Sequence, residues 1–508
     1  MDLNKRWLFL IILFSILIRI PFLNCPLFED EGEYAYQAYF WLKGVNPYQS
    51  RFFFMLPGYP LLYFLVFKFF CPKILAVRIF LAVWNAGIII FIYLIARKLI
   101  SPTVGLVSAF LYGSYSWLPL IRGNVGKEIY MMLPLCTALY LYVLYREYSK
   151  KVILFLSGIF LGLAVLFKQS ALPLSGFFLV FICFESKHKI RDVIMFLIAA
   201  SLPIIGCFIY GSHCIGIRKF FYCVISYRLN TASIFCGTWW YHILRGFRSM
   251  IKSGIIFWLI PLILNIKCIK KGFTYYFLIA YLFFSFLGIA LSGSWYANYW
   301  ALILPSVCIL LAWEIVKILQ TKKKSYVFKS GLWLILPFFI YILISLHFHN
   351  FCLRFYPEYQ LTPKIAHYLK KNSNETDKIY AFLYRNAEIY FLARRRSSFP
   401  SLFRPQMLYR SENIKEFINH IETTKRPSFL ITYTEERTIK IIRNFCELKA
   451  GIVPKLRATL LGSYRPFCKN YPSQISFTKE LFGLIPQYYV KVKTISVNNA
   501  SVIIWKRK

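Results

Sequence analysis

The sequence predicts an α-helical polytopic membrane protein of about eleven transmembrane helices, closed by a C-terminal extracytoplasmic α/β domain. Three observations carry this. Apolar runs of about 17–22 residues recur from the N-terminus to residue 349, each long enough to cross a bilayer. The chain is 58% hydrophobic, with 50 Phe and 37 Tyr among 508 residues, which is more apolar than soluble domains are. After residue 350 the apolar runs shorten, and turn and charged residues rise.

The first span is expected at 7–24, in "WLFLIILFSILIRIPFL". It runs into "NCPLFEDE", which lacks a small-residue cleavage site, so it reads as a retained helix and not as a signal peptide. Further spans are expected at 75–96, 102–122, 128–146, 151–167, 170–184, 191–211, 253–268, 273–292, 299–318 and 329–348. Lys5 and Arg6 put the N-terminus inside. The same rule places Arg97 with Lys98, Arg146 with Lys150 and Lys151, Lys187 with Lys189 and Arg191, Lys270 with Lys271, and Lys322 to Lys324 inside.

The segment "GYPLLYFLVFKFF" (58–70) is too short to cross along the membrane normal, and a crossing there would invert every later basic cluster. It reads as a helix in the outer interface, as does the Tyr-, Phe- and Trp-rich stretch 31–44. Residues 25–72 thus form one outer loop with two interfacial helices. Other outer segments are 121–134, 212–252 and 292–300. An odd number of spans places the C-terminal domain outside. Residues 1–349 form the membrane module and 350–508 the α/β domain.

Within that domain, "DKIYAFLYRNAEIYFLARRR" reads as a strand followed by a helix. "SENIKEFINHIETTKRPSFLITY" reads as a capped helix, a turn and a buried strand. "YYVKVKTISVNNASVIIWKRK" reads as a closing hairpin around Asn498 and Asn499.

A net charge of +40 first suggests nucleic acid, but much of the basic charge sits in short clusters between apolar runs, so no nucleic-acid partner is expected. The 13 Cys are scattered, mostly in or beside apolar segments, with no CxxC pair. Cys446 and Cys468 lie in the polar tail, and the sequence leaves their pairing open. There is no GxSxG, HExxH, P-loop or dinucleotide fingerprint.

The chemistry concentrates in a few outer residues. Glu29, Asp30, Glu31 and Glu33 crowd together in a chain with only 21 acids. Such a cluster suits the N-terminus of the helix over 31–44. It also suits a general base, or oxygen ligands for a divalent cation. Glu128 opens another span on the same side and admits the same two readings. Lys168, in "GLAVLFKQSALPL", lies at the outer boundary as a snorkelling lysine or as a phosphate partner. Arg19, Arg51, Arg122, Lys127 and several residues of 212–252 (Arg218, Lys219, Arg228, Arg245, Arg248) also fall outside, against the positive-inside tendency. An anionic lipid head would account for them, although long loops escape that rule.

Taken together, "IRIPFL…DEGEYAYQAYFWLKGVNPY…LPGYPLLY", "KEIYMMLPLCTALYLYVLY", "GLAVLFKQSALPL" and "YWALILPSVCILLAWE" resemble the GT-C superfamily of membrane glycosyltransferases. The resemblance covers residues 1–320 and is nearest to the protein O-mannosyltransferase and lipid A aminoarabinose transferase group. It implies transfer of a sugar from a polyprenyl-phosphate carrier to an acceptor on the outer face of a cell (inner) membrane. By motif it makes Asp30 the acid of the first loop, with Glu31 beside it, and Glu128 the second acid. Lys168 would meet the donor phosphate, with Arg51 and Arg122 as further donor-phosphate candidates. The acceptor, whether lipid, protein or glycan, is open, and so is the sugar.

Two departures matter. The Pro-rich turn reads "FMLPGYP", without the carboxylate some relatives have there. Asn298 and Tyr299 stand where some relatives have a His. The cofactor is therefore open, a divalent metal among the options. Two other classes compete with the enzyme. A transporter or flippase of lipid-linked saccharides should show mid-span charges and repeat symmetry. A non-catalytic assembly factor should tolerate loss of Asp30.

Overall fold

The computed structural model describes residues 3–20, 23, 26–27, 29–49, 56–115, 127–226, 239–265, 272–292, 295–320, 358–383, 387–399, 411–423, 426–439, 471–497 and 500–508. They fall into two compact units. The first holds residues 1–25, 55–225 and 243–349, and the second 26–54, 226–242 and 350–508.

The helices up to residue 320 are, in order, α1 (Leu3–Leu17), α2 (Glu29–Leu42), α3 (Gly58–Phe69), α4 (Ile74–Leu99), α5 (Pro102–Tyr115), α6 (Lys127–Tyr148) and α7 (Lys151–Phe167). They continue as α8 (Leu174–Glu185), α9 (Lys189–Ile215), α10 (Trp239–Ser253), α11 (Ile256–Asn265), α12 (Phe273–Leu291) and α13 (Leu304–Gln320). Among the described residues, five stretches are long and apolar enough to cross a membrane: Ile74–Leu99, Glu128–Tyr148, Lys189–Ile215, Phe273–Leu291 and Ala297–Gln320. These are five of the expected spans. The expected span at 329–348 lies outside the described residues, as do Cys446 and Cys468. The segment 58–70 is a helix of 12 residues, and the aromatic stretch from 31 is helical to Leu42.

In the first unit, α6 and α7 form an antiparallel pair joined by Ser149 and Lys150, with Ser149 in the left-handed region at φ 55°. Because the link is so tight, the start of α6 and the end of α7 lie at the same end of the pair. On its other side α7 meets α9 through small residues. A Cβ on Gly158 would stand 2.7 Å from the Phe196 carbonyl oxygen, so only glycine permits this approach.

The second unit is built on a five-stranded mixed sheet. Its C-terminal helices are α14 (Glu358–Asn372), α15 (Ala387–Ala393), α16 (Ser411–Glu422) and α17 (Tyr471–Tyr488). The strands β1 (Lys378–Phe382), β2 (Arg396–Ser397), β3 (Phe429–Tyr433), β4 (Tyr489–Val497) and β5 (Ala500–Arg507) run in the order β2-β1-β3-β5-β4. β1 pairs in parallel with β2 and β3, and β5 pairs antiparallel with β3 and β4. The expected strand-then-helix and helix-then-strand pieces are present. The closing hairpin strands pair with Val497 opposite Ala500, and the expected turn residues Asn498 and Asn499 lie outside the described residues.

Alternation along β1 and β3 feeds two cores. Ile379, Ala381 and Ile431 pack with Leu361, Ile365 and Leu369 of α14 on one face. Tyr380, Phe382 and Leu430 pack with Phe417 and Ile421 of α16 and Leu481 and Ile485 of α17 on the other. Burial on both faces explains why "KIYAF" and "FLITY" are apolar almost throughout. Helix α2 belongs to this unit and packs on α15.

Candidate active site

In the first unit, the end of the α6–α7 pair carries an ion pair that sequence distance conceals. Glu128 sits in the first turn of α6 and is 2% exposed. Its acid charge suits the helix N-terminus. Lys168 is the residue on which α7 ends, in extended conformation at φ −159° and ψ 129°. Its ammonium donates to Glu128 Oε1. The other carboxylate oxygen, Oε2, accepts a 2.6 Å hydrogen bond from Asn298 Nδ2. The Lys168 ammonium also lies over the Tyr299 ring. Asn298 and Tyr299 come from the 3₁₀ turn Ala297–Ile303 that leads into α13. One carboxylate thus ties together the starts of α6 and α13 and the end of α7.

Packing around the pair fixes it. Gly58, at the start of α3, lies against the last turn of α7: a Cβ there would stand 2.6 Å from the Leu166 carbonyl oxygen. Tyr59 stacks edge-on against Tyr130 at 4.7 Å, and Trp84 lies 6.1 Å from Phe167. Trp84 Nε1 donates to the Tyr130 carbonyl at 3.2 Å. Gln169, next to Lys168, donates to the Val224 carbonyl at 3.0 Å. These contacts pack the residues next to the ion pair in sequence, and its side chains are 13% and 3% exposed for Lys168 and Glu128.

In the second unit, Asp30, Glu31 and Glu33 stand in the first turns of α2, as their charge favours. Glu31 is 1% exposed and Glu33 7%, whereas Asp30 is half-buried. Gln37 Nε2 donates to Glu33 Oε1 at 3.2 Å. The helix is seated on α15: the Leu27 amide donates to Glu388 Oε1 at 2.9 Å, and the Ser397 amide donates to the Tyr36 hydroxyl at 3.1 Å. Burial raises the Tyr36 phenol above its ordinary range. Burial likewise raises Tyr390, whose ring lies 5.5 Å from that of Tyr36. Both therefore stay neutral at physiological pH.

The structure thus brings Glu128 and Lys168 together in one unit and keeps Asp30 and Glu31 together in the other. Arg51 and Arg122 lie outside the described residues. Arg19 is 4% exposed and bonds back to Ser15 Oγ at 2.7 Å. Arg245 lies over the Tyr296 ring at 5.7 Å. Asn298 and Tyr299 were legible in the sequence only as departures from a family motif, and the structure makes them partners of Glu128 and Lys168. Among the described residues no group of three or more His, Cys, Asp or Glu is placed to hold a metal ion.

The family model of dolichyl-phosphate-mannose-protein mannosyltransferase matches residues 56–210, the stretch that holds Glu128 and Lys168. No curated relative matches the chain by sequence. Among solved structures, the fold is similar to that of ArnT from Cupriavidus metallidurans bound to undecaprenyl phosphate, with a TM-score of 0.65 at 10% identity over 98% of each chain. It is also similar to the Archaeoglobus fulgidus oligosaccharyltransferase tethered with an acceptor peptide, with a TM-score of 0.57 at 12% identity, covering 97% of this chain and 73% of that one. The same enzyme, AglB, in complex with an inhibitory peptide and a dolichol-phosphate gives a TM-score of 0.52 at 12% identity, over 88% and 71%. At these identities the likeness is one of fold. The GT-C resemblance implied by the sequence motifs is thereby matched by the tertiary structure.

Proposed function

We propose that this protein is a membrane glycosyltransferase that moves a sugar from a polyprenyl-phosphate carrier to an acceptor on the outer face of the cell membrane. The N-terminus is cytoplasmic and the C-terminal domain extracytoplasmic in this reading. The observation that carries it is the Lys168 ammonium, held by the Glu128 carboxylate in a chain with the ArnT fold. A lysine held by a carboxylate is fixed in place, and anionic phosphate is what an ammonium binds. ArnT was solved with undecaprenyl phosphate and AglB with a dolichol-phosphate, which supports a lipid-linked phosphate as the donor. The acceptor is a lipid, a protein or a glycan.

The reaction needs three things. A base must accept the proton of the acceptor hydroxyl, and Asp30, the accessible member of its pair, is the candidate. The acceptor oxygen forms a bond to the anomeric carbon as the bond from that carbon to the phosphate oxygen breaks. The electron pair leaves with polyprenyl phosphate, whose growing charge Lys168 stabilises. Glu128 and Asn298 hold Lys168 and the turn before α13 in place. A single displacement of this kind inverts the anomeric centre. Enclosure by aromatic side chains limits water, which would otherwise hydrolyse the carrier.

The test uses purified protein in liposomes with a panel of radiolabelled polyprenyl-phosphate sugars, comparing wild type with Asp30→Asn and Glu128→Gln. One sugar should leave its carrier with wild type and with neither variant. Labelled lipid crossing the bilayer with no donor consumed, equally in all three proteins, would make this a flippase and the acids helix caps.

A further inference from the structure

We infer that the C-terminal domain positions the carboxylate of Asp30, by clasping α2 along one face with the segment 387–397. This deepens the glycosyltransferase reading and rests on it. The clasp acts at four successive levels. Below Asp30, the Leu27 amide donates to Glu388 Oε1 at 2.9 Å. Just above it, Gly32 makes the closest approach, since a Cβ there would stand 2.7 Å from the Glu388 amide nitrogen. Asp30 is therefore pinned on both sides within a few residues.

One turn further, the Tyr36 ring packs at a tilt against Tyr390, centroids 5.5 Å apart, and its hydroxyl accepts a hydrogen bond from the Ser397 amide. At the next turn, Arg394 Nη1 donates to the Tyr39 hydroxyl at 3.4 Å, and the guanidinium lies 5.1 Å from the Tyr39 ring centre. Positions 32, 36 and 39 share one helical face.

The clasp is itself rigidly mounted. The Tyr390 hydroxyl accepts the Ala381 amide of β1 at 2.8 Å. Arg395 is 3% exposed and donates to the carbonyls of Ser373 and Ala393 at 2.6 and 3.1 Å, tying α15 to the end of α14. Arg394 takes the left-handed conformation, φ 57°, at the end of α15, and the Arg395 amide closes back on the Tyr390 carbonyl at 3.1 Å. Glycine is the ordinary occupant of such a helix end. An arginine there is strained, and its guanidinium is what reaches Tyr39. Glu388, Tyr390, Arg394 and Tyr36 act on the carboxylate through α2, so they are positioning residues. A base misplaced by a fraction of an ångström loses its line to the acceptor proton.

Arg394→Gly separates positioning from folding, because glycine relieves the backbone at this φ while deleting the guanidinium. The test uses the full-length protein in nanodiscs. Hydrogen exchange should quicken in residues 29–42 and stay unchanged in strands 378–382 and 429–433, with thermal stability equal to or above wild type. For the donor that wild type consumes in the panel above, kcat should fall roughly ten- to hundredfold with KM unchanged. Glu388→Ala should behave alike, and Glu388→Gln, which keeps an acceptor oxygen for Leu27, should restore turnover. Unchanged exchange over 29–42 in both Arg394→Gly and Glu388→Ala overturns the inference without any donor being known. An inactive Asp30→Asn beside fully active Arg394→Gly and Glu388→Ala sinks the positioning role alone. A fully active Asp30→Asn removes the functional reading and this inference with it.

Discussion

Asn298 Nδ2 donates to Glu128 Oε2 at 2.6 Å, joining residues 170 positions apart and leaving the other carboxylate oxygen to Lys168. Asn298→Ala should leave Glu128 under-bonded and the turn before α13 looser. Turnover is expected to fall roughly ten- to hundredfold, in line with the loss of about 1.5–3 kcal/mol from a hydrogen bond to a charged group. Asn298→Asp should be worse, because it sets a second carboxylate against Glu128. Steady-state rates in liposomes, beside thermal unfolding of the same proteins, check both.

The ion pair itself calls for a paired experiment. Glu128→Gln or Lys168→Met alone removes one partner of a buried pair, which costs about 3–5 kcal/mol of stability. The double variant removes both charges and should recover much of that loss. It should remain unable to bind donor, because no cation is left for the phosphate. A double variant that regained donor binding would show Lys168 to be structural only. Thermal melts in detergent and donor-binding isotherms read the two effects separately.

Alkaline pH should loosen the second unit. Burial raises Tyr36 and Tyr390 above the ordinary phenol value of 10.0, so the folded state holds their protons longer than the unfolded state does. The sign follows from linkage: stability is full below that ordinary value and falls as pH rises beyond it, because the unfolded chain gains by ionising first. Tyr390→Phe should flatten this alkaline limb. It should also lower stability at neutral pH by about 1–3 kcal/mol, because the buried Ala381 amide loses its acceptor. Unfolding curves of the full-length protein at neutral and alkaline pH decide it.

Orientation can be read from two native thiols. Cys183 is exposed near the end of α8, on the side that the basic clusters place inside, and half-buried Cys71 follows α3 in the loop that the same reading places outside. In spheroplasts, an impermeant thiol reagent should label a variant retaining only Cys71 and spare one retaining only Cys183. The opposite pattern would invert the proposed topology.

Much of the architecture was legible in the sequence for local reasons. Apolar length marks helices such as α4, α9 and α12, because a helix that meets lipid or core must be apolar over many turns. Acids at the start of α2 and aromatic residues along it mark a helix end. Apolar "KIYAF" and "FLITY" mark strands covered on both faces, and Asn498 with Asn499 between two alternating runs marks the hairpin.

The helices α10, α14 and α17 and the short strand β2 carry no apolar run or turn signal strong enough to mark them. The sequence by itself therefore determined the long apolar helices, the strands β1, β3, β4 and β5, and the few polar residues costly enough in their setting to attract notice: Asp30, Glu31, Glu128 and Lys168. Only the tertiary structure decided their partnerships. Lys168 reaches Glu128 across 40 positions and Asn298 reaches it across 170. Helix α2 packs on Glu388 and Tyr390, more than 300 positions away in the chain. Periodicity reports which face of an element is apolar. It carries no information about which distant amide or carboxylate will meet that face, because a hydrogen bond between remote residues leaves no pattern in either neighbourhood. Burial follows the same logic: Asp30 and Glu31 are adjacent and chemically alike, and only the packing of α2 leaves Asp30 within reach while enclosing Glu31.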